Sequence, residues 1–296
     1  MIDILVQGIL LGGYYAILAA GLSFLYSVMG IINLAHGSFA VLAAYIVVSL
    51  SKHFGMDPFL ATLAVLPIMA VTGVIVERLI LEPSQRGGQL AAILATFGVS
   101  VVLDNLMFQI FGANTQSLSA FMGDLSWASW EVGTFYVSKL AAIFLVAAVA
   151  VLGGLQLFLN HTPLGRAIRA TAQDSDTAGL VGINARQART VATAIAFVTI
   201  GLAGAALGMR ATFTPYSGTL QLLFAFQATV IGRAGSIWGT LTGGIILGLA
   251  QTIGAEISTQ GFFIAGNLVF FLVLFARLYN GSFKLPKLFS QAGGRP

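Results

Sequence analysis

Long apolar runs, separated by loops that hold nearly all the charge, constrain this chain more than any other feature. Only 8 % of its 296 residues are charged and 57 % are hydrophobic, whereas an ordinary soluble domain carries about 25 % charged residues. So much apolar surface must face lipid or neighbouring helices. A helix crosses the hydrocarbon core with about 20 mostly apolar residues. Reading on that length predicts spans near 5–29, 33–51, 59–79, 90–111, 136–158, 191–209, 219–232, 236–255 and 262–280. The seventh is short and reads as tilted or re-entrant. The expected fold is all-α: one polytopic transmembrane helical bundle of about 8–9 spans occupying 1–296.

Nine crossings place the termini on opposite sides, and the basic residues choose which. One set of loops and span ends holds Arg78, Arg86, Arg166, Arg169, Arg186, Arg189, Arg233, Arg277, Lys284, Lys287 and Arg295; the other holds only Lys52, Lys139 and Arg210. The richer set is predicted to be cytoplasmic, with the N-terminus outside and the C-terminus inside. The outer loops are mildly acidic through Asp3, Asp57, Asp124, Glu131 and Glu256. The longest, 112–135, carries Trp127 and Trp130, which suit an interfacial belt.

Several function classes fall away. No cysteine is present, so disulfides, thiolate metal sites and Cys nucleophiles are excluded. The net charge of +4 is scattered along the membrane boundaries and is not gathered with stacking aromatics, which argues against nucleic acid. The start, Met1-Ile2-Asp3, lacks a basic n-region, so the first apolar run is expected to be retained. No Gly-x-x-x-x-Gly-Lys-Ser/Thr stretch exists to cradle phosphates. The chain is therefore expected not to be an enzyme, and any ATP would be bound with its magnesium by another subunit. The three histidines are too dispersed for a metal site.

Small residues recur at helical spacing. Gly235, Gly239 and Gly243 repeat every four residues, as do Gly244 with Gly248 and Gly204 with Gly208. That spacing lets helix backbones approach closely in lipid, either inside the bundle or at a subunit interface.

The stretch 159–190 is the one long polar segment on the predicted cytoplasmic side. Thr162-Pro163 is an N-cap followed by Pro at the first helical position, opening a helix through Arg166, Arg169 and Ala172. Asp174 or Ser175 caps a second helix carrying Ala178, Leu180 and Val181, with Gly182 as its stop. Asn184 then caps the sixth span. A plain connector needs only a few residues. The spare apolar helix argues for a docked partner.

Ionisable or polar groups inside spans are candidate sites by default. Asp104, beside Asn105, is either a buried structural acid or part of a pathway. Asn33 and His36 flank a break between apolar runs, which can mark a discontinuous helix lining a cavity; His36 is alternatively a neutral helix-end residue holding a carbonyl. Thr96, Phe97, Thr193, Phe197 and Gln227 are further pathway candidates. With no basic residue at the centre of any span and one carboxylate there, a neutral or zwitterionic solute is favoured over a strongly charged one. One buried acid and no metal cluster leave an intramembrane enzyme without an acid–base pair. A self-sufficient carrier or channel remains the competing class.

Four stretches in order resemble the branched-chain amino acid permease family of ABC importers. They are Asn33-Leu-Ala-His-Gly37; Ala95-Thr-Phe-Gly-Val-Ser100 with Leu103-Asp-Asn-Leu106; Thr162-Pro-Leu-Gly-Arg-Ala-Ile-Arg-Ala-Thr-Ala-Gln-Asp174 with Ala178-Gly-Leu-Val-Gly-Ile183; and Gly232-Arg-Ala-Gly-Ser-Ile-Trp-Gly-Thr240 with Gly243-Gly244. The resemblance covers nearly the whole chain. It departs at Ser38, where the family usually has an acid, at Asp104, where Glu is usual, at Arg233 in place of a second Gly, and at Arg277-Leu-Tyr-Asn-Gly281. These departures bear on the solute more than on the transporter class. The resemblance implies a bacterial cytoplasmic-membrane importer with two permeases, commonly different ones, two cytoplasmic ATPases and an extracytoplasmic solute-binding protein. It also implies that 159–190 is a coupling loop, with Arg166, Arg169, Asp174, Ala178, Leu180 and Gly182 at the ATPase contact. Urea, amides and other small solutes lie within reach of related permeases.

Overall fold

The computed structural model describes residues 1–85, 87–132 and 135–279. Arg86, Lys284, Lys287 and Arg295 of the basic set, and the Asn280-Gly281 end of the last motif, lie outside the described residues.

Helix α1 (Ile2–Met29) is rich in Gly and Ala and is buried along most of its length. Its 28 residues span about 42 Å, more than the hydrocarbon thickness. Gly30 ends it in a left-handed conformation, φ 66°, that costs glycine little. The chain then turns back into the bundle. His36 Nε2 lies 2.8 Å from the Leu18 carbonyl, eleven residues, or about 16 Å, up from the end of α1. Helix α2 (His36–Phe54) therefore starts mid-bundle, not at the membrane edge as the sequence predicts for the second span.

Asp57 caps α3 (Pro58–Val76) by accepting the Phe59 N–H at 2.8 Å. A π-helical turn (Glu77–Leu81) and α4 (Glu82–Gln85) prolong it. After α5 (Gln89–Phe111) comes a long loop with a hairpin of β1 (Ser129–Val132) and β2 (Phe135–Ser138), in register Ser129↔Ser138 and Trp130↔Val137. Helix α6 (Lys139–His161) starts three residues later than the sequence suggests, because 136–138 pair as strand. Helices α7 (Pro163–Gln173) and α8 (Ser175–Leu180) lie in the polar loop at what we call the basic end of the bundle.

The second half repeats the first upside down. Helix α9 (Ala185–Arg210), like α1, is long, rich in Gly and Ala and largely buried. From its end the chain turns inward again: Phe213 stands edge-on to Tyr45, ring centroids 4.9 Å apart, and Gly218 reaches Ser38. Helix α10 (Gly218–Ile231) starts there and runs to the basic end, where Arg277 donates to the Val230 and Ile231 carbonyls at 2.5 and 2.8 Å. Its 14 residues cover only about 21 Å, so the short seventh span is a half-helix preceded by non-helical chain. Helices α11 (Ile237–Ile257) and α12 (Gly261–Tyr279) complete the bundle. Helix α1 packs on α11 as α9 packs on α3, and α1 packs on α10 as α9 packs on α2, the arrangement of an inverted repeat. Among the described residues, eight helices are long and apolar enough to cross a membrane, counting α3 through α4 as one.

The small-residue stripes serve internal packing. A Cβ on Gly244 or Gly248 would sit 2.7 or 2.3 Å from the Gly12 or Gly8 carbonyl oxygen of α1. Gly204 abuts the Ala40 carbonyl, and Gly239 and Gly243 abut Gly232. Gly235 instead forms a turn at φ 85°.

Candidate functional site

Helices α2 and α10 begin against each other. A Cβ on Gly37 would lie 1.9 Å from the Gly218 carbonyl oxygen, and one on Gly218 would lie 2.8 Å from the Ser38 nitrogen. The helices run in opposite directions from this crossing, so both N-terminal ends, the positive ends of their dipoles, meet near the middle of the bundle. The segments before them correspond: Asn33-x-x-His36-Gly37 and Thr214-x-x-Ser217-Gly218. In each, the first residue takes part in a cap. Asn33 Oδ1 accepts the Ala35 N–H at 3.0 Å, and the Thr214 N–H donates to Ser217 Oγ at 2.9 Å.

Helix α5 forms one wall. Thr96 Oγ1 accepts the Leu34 N–H at 3.2 Å. The Asp104 carboxyl faces the Ser38 hydroxyl; the residue is buried and its Oδ1 has no hydrogen-bond partner. Since Leu18 offers only a carbonyl, His36 Nε2 is the donor in that bond, and its Nδ1 is left without a partner. Thr96 thus borders the break that holds Asn33, Asp104 borders the first turn of α2, and His36 faces α1. Phe97 and Asn105 lie on the exposed face of α5, where Asn105 Nδ2 donates to the Val101 carbonyl at 2.8 Å. Gln227 stands apart, nine residues along α10, and donates to Asn267 Oδ1 of α12 at 2.7 Å.

Sequence reasoning noted Ser38 only as a departure from the family pattern, and it missed Gly218 and the tethers that hold α10. Tyr14 of α1 donates to Gln221 Oε1 at 2.5 Å. A signal for the second break was present: Pro215 and Gly218 closely precede the short apolar run. A second carboxylate was also overlooked. Glu77 is buried in the π-turn that prolongs α3 and accepts from Thr193 Oγ1 at 2.9 Å. Phe197, one turn beyond Thr193, is a packing residue, edge-on to Phe39 with centroids 4.7 Å apart.

At the basic end, the capping pattern is as the sequence predicts. Thr162 Oγ1 accepts the Gly165 N–H at 2.9 Å, Asp174 accepts from the Asp176 and Thr177 N–H groups at 3.0 Å each, and Asn184 caps α9. The Thr177 hydroxyl, followed by these N–H groups, holds the Asp174 carboxyl below its usual pKa. A depressed folded pKa means that this cap contributes above the unfolded value and fades as pH falls through the folded one. Gly182 closes the loop at φ 83°. Arg169 reaches Asn160 Oδ1 at 3.0 Å, and Arg166 reaches the His161 carbonyl at 3.5 Å. Exposure differs from the sequence expectation for α8. Ala178 is buried within its own loop, whereas Leu180 is 88 % exposed and Val181 73 %. Arg186 pairs with Glu82 at 2.8 Å, tying the end of this loop to α4. Among the described residues no group of three His, Cys, Asp or Glu side chains could hold a metal ion.

A family model described as "Branched-chain amino acid transport system / permease component" matches residues 4–278. The permease protein BraD of a high-affinity branched-chain amino acid transport system in Pseudomonas aeruginosa is 29 % identical over 283 residues, covering 92 % of each chain. LivH of Escherichia coli K12, from a system of the same description, is 30 % identical over 271 residues and 86 % of each chain. LivM of the same organism is 26 % identical over 88 % of this chain and 66 % of its own. The chain is a multi-pass membrane protein and belongs to the branched-chain amino acid transport permease family.

Proposed function

We propose that this chain is one permease of an ATP-driven importer for branched-chain amino acids in the bacterial cytoplasmic membrane, working with a second, related permease, two cytoplasmic ATPases and an extracytoplasmic binding protein. The observation that carries the reading is α8. It is six residues long, far below the roughly 12 that make an isolated helix even marginal in water, yet it presents Leu180 and Val181 outward. A groove on a soluble partner would bury them, at about 25 cal/mol per Å² of apolar surface removed from water. Motion there would pass through Arg186–Glu82 and Thr193–Glu77 into α3 and α9, which pack on α2. The similarity to both LivH and LivM supports a paired permease. The solute class rests on the family and is tested by labelled leucine uptake in cells expressing the complete importer. Isoleucine and valine should compete and urea should not; competition by urea alone would reassign the solute.

The same reading orients the chain with its basic end in the cytoplasm. Cysteines placed singly at Ser119 and Ser175 should react with an impermeant reagent from opposite sides. Labelling of both from one side would overturn the orientation.

A further inference from the structure

Groups of opposite charge preference lie at the crossing of α2 and α10. Helices α2 and α10 are 19 and 14 residues long, and each carries roughly half a positive charge at its start. In the first turn of α2, the His36 and Phe39 N–H groups bond to the Asn33 and Ala35 carbonyls; those of Gly37 and Ser38 have no acceptor among the described residues. Asn33 Nδ2, in a residue 0 % exposed, also lacks a partner. These groups favour an anion. Beside them Asp104, 9 % exposed, faces Ser38 and keeps Oδ1 unpaired. A buried carboxylate oxygen without a donor is costly, and it favours a cation.

A lone anion placed here would meet the Asp104 charge. A lone cation would meet two helix N-termini. A solute bearing both charges close together satisfies both. We infer that Asp104 and the start of α2 form a mid-bundle binding site for a zwitterionic amino acid, its ammonium on Asp104 Oδ1 and its carboxylate on the Gly37 and Ser38 N–H groups and Asn33. This rests on the amino-acid importer reading above and adds the atoms that hold the solute. The site is closed in this structure. Its wall is α5, which packs on α2, on the turn at 215–217, on α4 and on the π-turn, and whose Phe97, Val101 and Phe108 are uncovered.

The test uses the complete importer with its binding protein in proteoliposomes, with labelled leucine as solute. Asp104→Asn keeps the shape and removes the charge. Losing a hydrogen bond to a charged group should lower leucine uptake about 10- to 100-fold, with the complex still eluting intact. Asp104→Glu should restore a substantial part of it. Wild-type importer exposed to a hydrophobic carbodiimide covers the case in which the variant fails to assemble. Leucine-loaded binding protein with ATP should slow modification of Asp104, read by mass spectrometry. Normal leucine uptake by Asp104→Asn, or carbodiimide modification indifferent to leucine, would remove the site while leaving the importer reading intact. A wild-type importer that moves no branched-chain amino acid would instead overturn the importer reading itself.

Discussion

Gly37→Ala should reduce uptake to background and leave little assembled complex. The added Cβ would lie 1.9 Å from the Gly218 carbonyl oxygen and 2.8 Å from the Leu222 nitrogen. Both are backbone atoms, so no side-chain rotation relieves the clash and α2 must part from α10. Overpacking of a filled core costs about 1–3 kcal/mol and sometimes more, a large share of the 5–15 kcal/mol typical of a folded protein. The contact is also where Ser38, Gly218 and Asp104 meet, so even a tolerated shift displaces the polar centre. Gly153→Ala is the control: nothing lies within 4 Å of its added Cβ, and alanine is the better helix former. Thermal stability of the purified complex and leucine uptake should fall together for Gly37→Ala and stay level for Gly153→Ala. Equal behaviour of the two variants would show that the helix crossing is not tight.

Leu180→Asp should uncouple the permease from its ATPases. Leu180 is 88 % exposed at the end of α8, so this chain pays nothing in its own packing for the change. A docked partner would bury an unpaired charge in place of an apolar contact, which is costly. Co-purification of the ATPases and leucine uptake should both drop about tenfold or more, with normal amounts of folded permease. Ala178→Glu is the informative contrast. Ala178 is packed inside its own loop, so glutamate there should disturb the permease first. Unchanged ATPase retention in Leu180→Asp would make α8 a solvated connector.

The features legible in the sequence were those governed by local chemistry. Apolar length revealed the spans, and Thr162, Asp174 and Asn184 announced their helix starts because a cap acts within three residues of itself. Depth was not legible. His36 follows an apolar run and precedes another, and nothing local says that 30–35 folds back along α1 and brings His36 to the Leu18 carbonyl. The same holds for 211–217, whose inward path depends on Phe213 finding Tyr45 from another helix. The inverted repeat escaped notice because its two copies share helix order and a five-residue pattern more than residue identity. The hairpin at 129–138 was hidden because Phe135-Tyr-Val-Ser138 is as apolar as the span it precedes. Ala178 and Leu180, two residues apart, looked equivalent as apolar positions on a short helix; only the way α8 lies against α7 and α9 separates the buried one from the exposed one.

The central claim is that this chain moves solute only when partner ATPases drive it. Labelled leucine uptake into proteoliposomes tests this most directly, comparing the permease chain alone with the full set of two permeases, ATPases and binding protein, each with and without ATP. The account expects accumulation only in the full set with ATP and binding protein together. Leucine entry through this chain alone, in the absence of ATP, would contradict it and make the protein a self-sufficient carrier or channel.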